Sequence, residues 1–194
     1  GLAMQEKPVL MIHEVTKQCF SANINWENYV LTFDDCLFSQ YYYWDFFKDF
    51  VTTKILFIPC SLIWYGHHRS RFNGEHIDSP TCEEALEKRV EDPYNYMTLS
   101  EIQEMNKLSP DLILGGHGFM HEPISTLDPV RRISIFEKDI TLMMNWFQAN
   151  FGSKPMYYCY PFNYDDIPAK NAIFDKHHIT RVFGSERIDL KDLL

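Results

Sequence analysis

The chain is 194 residues long, with 45% hydrophobic and 15% aromatic residues. That is enough apolar mass for a buried core, and it excludes a disordered chain. Eighteen Lys and Arg against 27 Asp and Glu leave a net charge of −9, which argues against a nucleic-acid partner and suits a neutral or cationic substrate. The longest apolar stretch, Ile55 to Tyr65, is interrupted by Pro59 and Ser61 and is too short to span a bilayer.

Five cysteines, Cys19, Cys36, Cys60, Cys82 and Cys159, give an odd count with no CxxC pair. This argues against a disulfide framework and for a reducing compartment. The opening Gly1-Leu2-Ala3-Met4-Gln5 carries no basic patch before an apolar run. A cytoplasmic location is therefore expected, unless a leader has been removed.

Short apolar runs alternate with helical patterns. Strands are expected at Val9 to Ile12, Tyr29 to Phe33 and Lys54 to Cys60, with a helix from Gln40 to Val51 between the last two. A polar loop from Gly66 to Pro80 follows, then a helix from Thr81 to Val90. Thr98-Leu99-Ser100-Glu101 reads as a capping box opening a helix to Leu108. Asp111 to Leu114 is a strand, and Asp128-Pro129 reads as an N-cap with Pro at the first helical position. The helix it opens stops at Gly152. Met156 to Tyr160 is a strand, Asp166 to Lys176 a helix and Thr180 to Phe183 a final strand. This is a β/α alternation of about six or seven units, the pattern of a parallel sheet or barrel in a single domain.

In such folds the reactive groups sit where strands end. Four clusters occupy those positions: His13, Asp34-Asp35, His117 with His121, and Pro161-Phe162-Asn163 after the strand that ends at Tyr160. Taken alone, Asp34-Asp35 also reads as a solvated turn, and His13 as a buried structural imidazole. The i, i+4 histidines can face one cation, and with a carboxylate from a neighbouring strand end they make a catalytic zinc set with an open position. Trp64, at the start of the long loop, can stack on a sugar or pack into the core.

Leu31-Thr32-Phe33-Asp34-Asp35, Leu114-Gly115-Gly116-His117-Gly118-Phe119-Met120-His121-Glu122-Pro123 and Cys159-Tyr160-Pro161-Phe162-Asn163 together resemble the three main motifs of the polysaccharide deacetylase family, the NodB-homology or carbohydrate esterase 4 group. Leu10-Met11-Ile12-His13 has the form of that family's last motif but precedes the Asp pair, as in the circularly permuted poly-N-acetylglucosamine deacetylases. The resemblance implies a distorted (β/α) barrel of about seven parallel strands and removal of acetyl groups from an N-acetylated glycan or amino-sugar precursor. It implies Asp35, His117 and His121 as ligands of a divalent metal, zinc by default, with nickel, cobalt or iron also suited to the donors. It implies Asp34 as general base, His13 as the acid for the leaving amine and the Phe162 N–H as an oxyanion donor. Trp64, Tyr160 and Pro161 are the expected sugar contacts. A glycan-binding relative without turnover, or a hydrolase of another small amide or ester, are the alternatives.

Three positions depart from the family pattern. Cys36 replaces a Gly, Gly118 replaces a Ser or Thr, and Tyr160 stands where the non-permuted family has an Arg that holds the base. The last departure leaves open what orients Asp34.

Overall fold

The computed structural model describes residues 7–194. The first six residues, on which the leader reading rests, lie outside the described residues. In chain order the main elements are β1 (Val9–Ile12), α1 (Gln18–Ser21), β2 (Val30–Asp34), α2 (Phe38–Tyr42), α3 (Trp44–Phe47), β3 (Lys54–Ile58), α4 (Cys82–Glu87) and α5 (Leu99–Leu108). They continue with β4 (Ile113–Gly116), α6 (Pro129–Phe151), β5 (Tyr157–Cys159), α7 (Lys170–Lys176), β6 (Arg181–Phe183) and β7 (Ile188–Asp189). The strands make one seven-stranded sheet in the order β6-β5-β4-β3-β2-β1-β7. Its parallel strands and intervening helices are those of a distorted α/β barrel of the NodB type.

The chain divides into two compact units. Among the described residues the first comprises 7–56, Leu62–Ile113 and Arg187–Leu194, and the second comprises Phe57–Ser61 and Leu114–Glu186. In the first, β1 pairs in parallel with β2 from Val9↔Val30 to Ile12↔Phe33, and with β7 at Leu10↔Ile188. Leu10, Ile12, Val30, Leu31 and Phe33 are fully buried, so these strands are apolar on both faces, as a covered parallel sheet requires. This register brings the ends of β1 and β2, with His13 and Asp34, side by side. The capping box is present: Thr98 accepts from the Glu101 N–H, and the Glu101 carboxylate accepts from the Thr98 N–H. Glu101 is fully buried because Arg69 grips it with two bonds of 2.9 Å, which anchors the long polar loop.

In the second unit, β5 pairs in parallel with β4 at Gly116↔Tyr158 and with β6 from Tyr157↔Arg181 to Cys159↔Phe183. Helix α6 is capped by Asp128 at one end and by left-handed Gly152 at the other. It buries a stripe of Phe136, Ile140, Met143, Met144 and Phe147, the 3.6-residue periodicity of an amphipathic helix.

Two expected helices change, and one strand is new. The single helix from Gln40 to Val51 is two short helices broken at Tyr43, whose hydroxyl accepts from the Ile77 N–H and bonds His76. Tertiary contacts of the aromatic ring override local helical propensity there. The helix expected from Asp166 begins only at Lys170, because Ala169 is left-handed. Strand β7, at two residues, is too short for a periodic signal.

Candidate active site

In the first unit Asp34 ends β2 and is buried. Arg187, just before β7, holds both of its oxygens at 2.8 Å, a bidentate fork with the guanidinium also buried. Arg187 donates as well to the Thr32 hydroxyl, which in turn donates to the Leu10 carbonyl. The fork fixes the carboxylate plane and satisfies its charge, which a point-charge lysine would do less well. The question raised by Tyr160 is therefore answered from elsewhere in the chain, since Arg187 supplies the guanidinium. His13 Nε2 lies 3.7 Å from the Asp34 carboxylate. Gln40, fully buried on α2, donates from one amide nitrogen to the carbonyls of His13 (2.9 Å) and Asp34 (2.7 Å). It joins the ends of β1 and β2. Sequence reading identified neither Arg187 nor Gln40, because each acts on residues that no local motif links to it.

Asp35, His13 and Cys82 each offer a ligand atom within 4.8 Å of the others. The Cys82 thiol is pushed up, first by burial and then by Asp35 and Glu83, so it remains protonated. The same residue packs on the cluster of Leu37, Leu62, Ala85 and Tyr96, as does Trp64. The Trp64 indole donates to the Tyr96 carbonyl at 2.8 Å, so the ring is anchored to that core.

In the second unit His117 directly follows β4 and His121 lies four residues on, both buried. His117 Nδ1 is 2.8 Å from the Cys159 carbonyl, at the end of β5. A carbonyl only accepts, so Nδ1 carries a proton, which leaves Nε2 as the ring atom able to offer a lone pair to a metal. That Nε2 lies 3.3 Å from His121 Nε2. Two imidazole nitrogens facing a common point, one with its tautomer fixed by a carbonyl behind it, match the donor chemistry of a metal-binding histidine pair.

Tyr160, Pro161 and Phe162 line an apolar cleft of about 150 Å³ together with Met120, Phe136 and Asp139. The Tyr160 ring itself is buried against Phe136, Tyr158 and Phe174. Burial, then Asp165 and Glu186, pushes its phenol up to about 12, so it stays a neutral hydroxyl. Phe162 is half exposed, and its ring sits 4.7 Å from the His121 ring.

Backbone strain marks the same segments. Among the described residues, seven non-glycine positions have positive φ, and Asp35, Cys36, His121, Phe162 and Asn163 are five of them. Each costs about 1–3 kcal/mol and persists only where the surroundings impose it, which is typical of functional sites. Cys36, at φ 52°, shows why a Gly is the relaxed choice there.

No family model and no curated protein matches this sequence. Solved structures do match. IcaB from Ammonifex degensii aligns with a TM-score of 0.62 at 17% identity, over 91% of this chain and 82% of its own. A de-N-acetylase from Aggregatibacter actinomycetemcomitans aligns at 0.64 and 12%, over 97% of this chain and 99% of its own. BC0361, a polysaccharide deacetylase from Bacillus cereus, aligns at 0.52 and 13%, over 90% of this chain and 56% of its own. The chain thus has the fold of deacetylases, the circularly permuted IcaB type included.

Proposed function

We propose that this protein is a metal-dependent hydrolase that removes acetyl groups from N-acetylated amino sugars. The observation that carries the reading is the buried histidine pair, whose Nε2 atoms are 3.3 Å apart while His117 Nδ1 is committed to a carbonyl. With Asp35 as the carboxylate that completes the histidine pair, the proposed ligands are one carboxylate oxygen and two imidazole nitrogens, the three-ligand set of a catalytic zinc site. A divalent ion held there would act as a Lewis acid toward the amide carbonyl and toward water.

The remaining chemistry falls to this chain's own side chains. Asp34, held by Arg187, takes the proton of the attacking water as general base. His13, 3.7 Å from that carboxylate, returns a proton to the leaving amine nitrogen. The reaction balances as amide plus water giving acetate and a free amine. The left-handed turn at Phe162 presents its N–H to the developing oxyanion. Tyr160 and Pro161 shape the neighbouring apolar wall.

Acetate release from an N-acetylglucosamine oligomer tests this. Zinc-supplemented protein is expected to release acetate, to stop after dialysis against a chelator and to recover with zinc. The Asp34→Asn variant is expected to be at least about 100-fold slower. Wild-type release no faster than that of Asp34→Asn would overturn the reading and leave a glycan-binding relative.

A further inference from the structure

We infer that Asp139, near the middle of α6, is a positioning residue that sets the His117–His121 segment for metal binding. This deepens the proposed function and rests on that reading. Asp139 falls in the apolar stripe of α6, three residues after Phe136 and four before Met143. A carboxylate in such a stripe is costly unless it is hydrogen-bonded. Its two oxygens accept from consecutive backbone amides: Oδ2 from the Phe119 N–H at 2.9 Å and Oδ1 from the Met120 N–H at 3.0 Å.

The other edge of the same segment is fixed by main chain. The His117 N–H donates to the Ile58 carbonyl at 3.0 Å, while the Gly118 and Phe119 carbonyls accept from Cys60 at 3.2 Å and Ser61 at 2.8 Å. Asp139 therefore closes the second side of a segment that ends at His121 in a left-handed conformation, φ 54°. Without such a clamp that conformation would relax.

Gly118 belongs to the same device. Its φ is +75°, and a Cβ there would lie 2.8 Å from Asp139 Oδ2 and 3.2 Å from Pro161. Only glycine both adopts this turn and leaves room for the carboxylate. The Gly118 that departs from the family pattern and the acidic residue in the helix stripe are thus two parts of one arrangement. Helix α6, 23 residues long and capped at both ends, is the platform that carries it.

The test is zinc affinity, measured by competition with a chromophoric chelator, together with the absorption spectrum of the cobalt-substituted protein. Asp139→Ala is expected to weaken zinc binding about 10- to 100-fold, the usual effect of removing a group that orients a ligand, and to change the cobalt spectrum. Asp139→Asn keeps one acceptor oxygen and is expected to lose less. Gly118→Ala is expected to lose affinity too, and its effect in the Asp139→Ala background to be smaller than in wild type, because the two act through one contact. Zinc affinity in Asp139→Ala within about twofold of wild type overturns the inference. If Asp139→Ala does not fold, the same comparison is made with Asp139→Asn, and an unchanged affinity there overturns it equally. Wild-type protein that binds no zinc would instead overturn the proposed function.

Discussion

The first unit holds the buried Asp34 carboxylate with a charged side chain, whereas the second sets the His117 ring against a main-chain carbonyl. Asp34 is gripped by Arg187, and the strand ends beside it are joined by Gln40. His117 leans on the Cys159 carbonyl, and its segment is fixed by main-chain bonds on one side and by the Asp139 carboxylate on the other. The difference follows from charge. A buried carboxylate needs a counter-ion, and the chain must bring one from a distance. A neutral imidazole needs only a fixed tautomer, which a carbonyl supplies.

Removing Arg187 probes the comparison most severely. Arg187→Ala leaves a carboxylate buried without its partner, so denaturant unfolding is expected to show a loss of about 3–5 kcal/mol. Arg187→Lys is expected to recover part of the stability but little of the acetate release, because one ammonium cannot make the fork. A loss below about 1 kcal/mol for Arg187→Ala would mean that Asp34 is not held in this way. Gln40→Met comes next. It fills similar space but leaves the His13 and Asp34 carbonyls without their donor, at an expected cost of about 1–3 kcal/mol. Equal stability of Gln40→Met and wild type in the same unfolding experiment would remove the bridge from the first unit's design.

The smallest effect belongs to the second unit. Tyr160 ionises at about 12 in the folded chain, against 10.0 for an ordinary phenol, because of burial and then Asp165 and Glu186. The unfolded chain therefore releases this proton first. The stabilisation is complete below pH 10 and is lost as pH rises toward 12. Tyr160→Phe is expected to flatten the decline of stability across that window. An unchanged decline would assign it to other tyrosines, of which buried Tyr158 is also raised.

How much was legible in the sequence follows the same division. β1 was read with its observed bounds, the capping box at Thr98 and Glu101 was read correctly, and the ends of α6 were set by Asp128 and Gly152. All are local signals, carried by residues three or four apart. The strand-end positions of His13, Asp34, His117 and Tyr160 were visible because apolar runs stop at them. Arg187 was not, since it lies 153 residues from Asp34 and nothing near it encodes a partner. Gln40 and Asp139 look like ordinary polar positions of helices until the backbone groups they serve are placed.

The double donation by Gln40 has a mechanical consequence. One planar amide is fastened to the main chain at both His13 and Asp34, so it works as a strut between two neighbouring strands. Because that side chain stands on α2, a displacement of the helix would pull on both strand ends together rather than on one of them.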